Sequence, residues 1–149
     1  MGVYFRFKKS FGGFRKLVEL LESTPMKRRK RMIEVGMQED PDYTEKALRY
    51  ILTFEDISQL PVLELADVIA GTPPQHVGYA IHGESDEVKQ KFLSCVQPRS
   101  IGEVRDAMES SVNAFQKSGA IAKMIEVARK LEKNGIVKTK RIPDLGGGS

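Results

Sequence analysis

The sequence predicts an all-α protein: a series of short antiparallel helices that form a bundle or a small armadillo-like stack. Three observations predict it. From Phe14 to Leu131, apolar residues recur at helical intervals of three and four. Pro, Gly, Asn and Asp signals cut that pattern into short segments. The loops so marked run to about two to five residues, a length that joins antiparallel neighbours.

The elements follow in order. VYFRFKK alternates with period two, placing Val3, Phe5 and Phe7 on one side, and predicts an extended arm or edge strand. With its flanks it makes an extended basic and aromatic arm over 1–11, closed by the breakers Gly12 and Gly13. Phe14, Leu17, Val18 and Leu21 form the stripe of a first helix. Thr24 and Pro25 supply a cap and a first-turn proline for a second, with Met26, Ile33 and Met37 as its core stripe. Asp40 and Pro41 repeat that signal before a third helix lined by Tyr43, Ala47, Tyr50, Ile51 and Phe54. PVLELADVIAG is a short helix from Pro61 to Gly71. TPPQHVGYAIHG is another, with Thr72 as cap and Gly83 as stop. Ser85 caps a helix that turns Val88, Phe92 and Val96 inward. Pro98 opens a charged helix. Lys117 to Lys133 is the last, with Asn134 and Gly135 closing it. RIPDLGGGS reads as part of a flexible tail over 139–149.

Composition narrows the function. The 149 residues are 40% hydrophobic and 30% charged, which supports a packed core. The single cysteine, Cys95, allows no internal disulfide framework and suits a reducing compartment. No apolar run is long enough to span a bilayer, and MGVYFRFKKS does not read as a signal peptide or a myristoylation site. Net charge is +4, unevenly placed: residues 1–31 carry ten Lys and Arg against Glu19 and Glu22 alone.

Catalytic and metal patterns are weak. His76 and His82 lie six apart and share no helical face as zinc ligands would. Cys95 lacks a nearby basic cluster and reads as a buried structural thiol. Gly12-Gly13 and the terminal glycines lack the Lys-Ser/Thr of a phosphate loop. Glu103 and Asp106 lack the apolar pocket that would raise one carboxyl for acid–base work. The expectation is a non-enzyme with no cofactor, no metal and no small-molecule substrate. Lys27, Arg28, Arg29, Lys30 and Arg31 are consecutive, so on a helix they form a collar rather than a single phosphate-reading face. They make a basic patch, with solvation as its ordinary reading.

The charged helix is more ordered. With Ile101 at 0° and steps of about 100°, Ile101, Val104 and Met108 fall between about −60° and 0°. Arg99, Glu103 and Asp106 fall opposite, between about 140° and 200°. Pairs at i, i+4 contribute only about 0.2–0.5 kcal/mol each, so stability is a weak reason for the row. A ridge carrying both signs suits oriented contact with another charged surface.

Four runs, GGFRKLVELLES (12–23), EDPDYTEKALRYILTFEDI (39–57), YAIHGESDEVKQKFLSCVQPR (79–99) and IEVARKLEKNGIV (125–137), resemble the C-terminal part of the flagellar motor switch protein FliG, in order and at near-family spacing. The resemblance covers roughly 12–138. It implies an armadillo-like stack at 12–50, a joint at 51–57 and a small helical C-terminal bundle at 58–138, with a hinge at Gly12 and Gly13 and flexibility at Ile51, Leu52, Thr53 and Phe54, where the family's Met-Phe-x-Phe-Glu reads ILTFE. It implies that the helix from Pro98 meets the stator's cytoplasmic loop. The family's first basic position falls on His82 and its helix-opening arginine on Arg99. Its acid pair falls on Asp106 and Ala107, so one carboxylate is lost. The loop after the helix is shorter here, without a counterpart to the family's last arginine. Other switch-complex proteins and self- or hetero-association by helical stacking are the implied partners, at the cytoplasmic, membrane-proximal face of the flagellar basal body. The family's N-terminal domain and middle unit have no match in this sequence; PPQH at 73–76 is not the middle unit's Glu-His-Pro-Gln. The YFRF arm is the expected substitute attachment. A second reading is a basic helical adaptor that binds nucleic acid or anionic membrane through residues 4–31; within the resemblance, nucleic acid is not expected.

Overall fold

The computed structural model describes residues 3–9 and 12–143, and among these every regular element is helical. The order is α1 Val3–Lys9, α2 Gly13–Ser23, α3 Met26–Glu39, α4 Pro41–Tyr50, α5 Phe54–Ser58, α6 Val62–Ala70, α7 Pro74–Ile81, α8 Asp86–Ser94, a 3-10 turn Pro98–Ser100, α9 Ile101–Glu109 and α10 Ala114–Lys133. The chain divides into two compact units. One holds the described residues up to Leu52 together with 140–143; the other is Thr53–Thr139.

In the first unit, Phe14, Leu17, Val18 and Leu21 of α2 are buried with Tyr4, Ala47, Ile51 and Ile142. Asp40 caps α4 by accepting the Tyr43 amide (3.2 Å), as the Asp-Pro signal predicts. Phe14 meets Tyr43 and Tyr50 edge-on.

Several expectations change here. VYFRFKK is helical, not extended. Tyr4 and Phe7 are also three apart, so the same letters fit a helical face. Tyr4 is buried and donates its hydroxyl to the Met32 carbonyl (2.6 Å). The side chains of Val3 and Phe5, and residues 1–2 and 10–11 of the arm, lie outside the described residues. Thr24 does not cap α3; its hydroxyl turns back to the Leu20 carbonyl at the end of α2 (2.5 Å). Met26 is 70% exposed and Met37 is exposed, so the stripe drawn for α3 is not a core stripe. The tail is not wholly loose: Ile142 joins the core and Lys140 reaches the Ile51 carbonyl (2.9 Å), while 144–149 lie outside the described residues.

In the second unit, α7 crosses α9 and α10 closely. Gly78 makes the first crossing possible. A Cβ there would stand 2.5 Å from the Val104 carbonyl oxygen and 2.5 Å from the Ala107 Cβ. Phe92 is fully buried and stacks on Phe54 (5.5 Å between centroids). Phe54 therefore opens α5 in this unit instead of continuing the face of α4. Thr72 does not cap α7 either; it donates to the Val68 carbonyl (2.8 Å). The last helix starts at Ala114, earlier than Lys117, because Asn113 and Gln116 close a capping box. Cys95 is half-buried rather than buried.

Candidate functional site

The charged row lies on α9 and the turn before it. Val104 and Ala107 are buried, Ile101 and Met108 half-buried, and Gly102, Glu103, Arg105, Asp106 and Glu109 exposed. Arg99 is exposed too, but stands in the 3-10 turn rather than in the helix opened by Pro98. Among the described residues, Arg99, Glu103, Arg105, Asp106 and Glu109 form no ion pair and no side-chain hydrogen bond. Their charges face solvent without internal partners. Arg99 also edges a small cleft of 410 Å³ with Asp67, Cys95 and Val104.

His82 is placed differently. It is half-buried just after α7, and its Nδ1–H donates to the Met108 carbonyl (2.9 Å). Its own carbonyl accepts from Lys117 Nζ, which also pairs with Glu84 (2.6 Å). His82 thus fastens the ends of α7, α9 and α10 together, rather than standing free beside Arg99, Glu103 and Asp106. Gly78 and Lys117 complete this mounting. Neither role is legible in the sequence, because each exists only through the helices it joins.

The joint residues are fastened on one side. The Leu52 amide donates to Glu22 Oε2 (2.8 Å), and the Ile51 carbonyl accepts from Lys140. Thr53 caps α5 in a capping box with Asp56. The four joint residues therefore divide as Ile51 and Leu52 with the first unit, Thr53 and Phe54 with the second. Gly12 has a left-handed backbone (φ 68°), and a Cβ on Gly13 would collide with the Phe7 carbonyl. The pair is a tight turn between α1 and α2.

The basic collar is split. Lys27, Arg28, Lys30 and Arg31 are exposed; Arg29 turns inward and donates to the Glu22 carbonyl (2.8 Å). Burial lowers the Arg29 pKa, opposed by the nearby Glu22 charge. Arg28 and Arg31 flank a groove of 810 Å³ floored by Tyr4, Leu20, Met32 and Val35. Among the described residues, no three His, Cys, Asp or Glu side chains gather to hold a metal ion. No described helix is long and apolar enough to cross a membrane.

The fold is that of an all-helical protein with an exposed charged row on one unit and a groove edged by Arg28 and Arg31 on the other. The chain belongs to the FliG C-terminal domain family, whose sequence model matches residues 37–138. It is 26% identical over 139 residues to the flagellar motor switch protein FliG of Thermotoga maritima, covering 92% of this chain and 40% of that protein. The chain thus spans about two fifths of that relative's length. The crystal structure of a FliG fragment from H. pylori shares the fold (TM-score 0.64, 20% identity, covering 87% of this chain and 62% of that one). Full-length FliG from Aquifex aeolicus superimposes with a TM-score of 0.53 at 26% identity, covering 83% of this chain and 39% of that one.

Proposed function

We propose that this chain is a non-enzymatic rotor component of the flagellar motor switch that meets the stator's cytoplasmic loop through the ridge Arg99, Glu103 and Asp106. The observation that carries this reading is the row itself: both signs of charge, exposed and internally unpartnered, opposite a buried stripe. Gly78 and His82 hold the backbone beneath the row, so docking has only the side chains themselves to order. Exposed charges of this kind govern approach and register more than affinity. Other switch-complex proteins are its second class of partner, through stacking of helical faces, at the cytoplasmic side of the basal body. Gly12 and Gly13 serve as the hinge, and bending at the joint falls between Leu52 and Thr53, where one anchored segment meets the next.

The test is binding of the purified chain to the isolated stator loop and to full-length switch protein. Arg99→Glu with Asp106→Lys should abolish stator-loop binding and leave the helical content unchanged. Stator-loop binding that is indifferent to the double variant would overturn the reading. A second reading draws support from the 810 Å³ groove and its exposed cations: attachment to an anionic membrane through residues 4–31. It predicts that Arg28→Glu with Arg31→Glu abolishes binding to phosphatidylserine vesicles, while the ridge variants leave it intact.

A further inference from the structure

A charged ridge alone holds a partner poorly. Exposed ion pairs each contribute about 0–1 kcal/mol, and interfaces draw most of their affinity from a few desolvated anchors, aromatic ones above all. The helix that follows the ridge, α10, carries one such side chain in its first turn. Phe115 is 85% exposed, more than any other large apolar side chain described. From α7 through α10 it is the one large hydrophobic residue described as exposed.

Its position is fixed by three links. Only Ser110, Ser111, Val112 and Asn113 separate Glu109, where α9 ends, from Ala114, where α10 begins. The capping box of Asn113 and Gln116 makes the first turn of α10 rigid on either side of Phe115. Lys117, two residues on, binds the His82 carbonyl, and the same His82 binds the carbonyl of Met108 in α9. Phe115 therefore stands exposed on a capped first turn that is tied through His82 to the C-terminal end of α9. An aromatic ring on so constrained a turn loses little freedom on binding.

We propose that Phe115 is the apolar anchor of the ridge interface: its ring enters a hydrophobic pocket on the same charged helix or loop that pairs with Arg99, Glu103 and Asp106. The inference rests on the stator-facing reading of the ridge. The two contributions separate kinetically. Charges steer association, whereas a buried anchor slows dissociation.

The experiment measures association and dissociation rates of the full chain on immobilised stator cytoplasmic loop at several salt concentrations, for wild type, F115A, F115L and the Arg99→Glu, Asp106→Lys variant. F115A should dissociate roughly tenfold faster or more, with association rate and salt dependence unchanged. F115L should retain most of the binding, and the ridge variant should lose association rate. The ring is exposed, so F115A should melt with the wild type. Wild-type dissociation by F115A, with binding lost in the ridge variant, would overturn the anchor and leave the ridge reading standing. Failure of the wild-type chain to bind the loop would overturn both.

Discussion

Asp40 serves two neighbours with one carboxylate. Its Oδ1 accepts the Tyr43 amide at the start of α4, and its Oδ2 pairs with Lys8 (2.8 Å). The Lys8 hydrogen bond, then the Tyr43 amide, hold its pKa below the usual carboxylate range. A depressed folded pKa means that the stabilisation is complete above the unfolded value, about 3.9, and is lost as pH falls through the folded one. Asp40→Ala should therefore cost about 0.5–2 kcal/mol near neutrality, and the gap should close in strong acid; urea melts of both proteins across pH check this. Gly78 and Gly102 make a second residue-scale contrast. Alanine at Gly78 would press into the α9 backbone, whereas at Gly102 a Cβ meets nothing within 4 Å. Gly78→Ala should destabilise by about 1–3 kcal/mol, and Gly102→Ala, in the exposed first turn of α9, should stabilise by about 0.4–1 kcal/mol, chiefly by restricting the unfolded chain. Thermal melts read both.

At the element scale, the last residues of the first unit's α4 segment are held by α2. Glu22 is buried and receives the Leu52 amide. Removing its carboxylate would strand a buried N–H, at about 1–3 kcal/mol. Glu22→Ala should accordingly speed hydrogen exchange at Leu52 while Ile57, inside α5, keeps its protection. The ridge behaves oppositely: Arg99→Glu with Asp106→Lys should change stability by no more than about 0.5 kcal/mol, as denaturant midpoints would show. Elements with a long apolar stripe and a cap at the start, such as α4 and α8, were legible in the sequence. So was the buried-versus-exposed division of α9, because 3.6-residue geometry alone decides it. The seven residues of α1 were not, since period two and a helical face both fit them. The five residues of α5 were too few to show a period. Thr24 and Thr72 precede helices, as caps do, yet both hydroxyls turn back to the helix before, a choice that only backbone geometry reveals.

Over the whole molecule, the chain leaves the first unit at Leu52 and returns to it at Lys140. Nothing in the sequence signalled this return, because the isoleucine of RIP has no period to announce that it joins the core with Leu17 and Ala47. The candidate site was legible in the same partial way. Arg99, Glu103 and Asp106 stand out as a helical row, while the parts that mount the row, Gly78, His82 and Lys117, come together only through the fold. The central claim is that the row meets a partner charge for charge. The most direct measurement is a charge-swap cycle between Arg99→Glu and stator-loop variants in which each acidic residue is changed in turn to lysine, read as binding affinity. At least one swap should restore binding that Arg99→Glu alone destroys. Undiminished binding by Arg99→Glu, or no swap that restores it, would contradict the account.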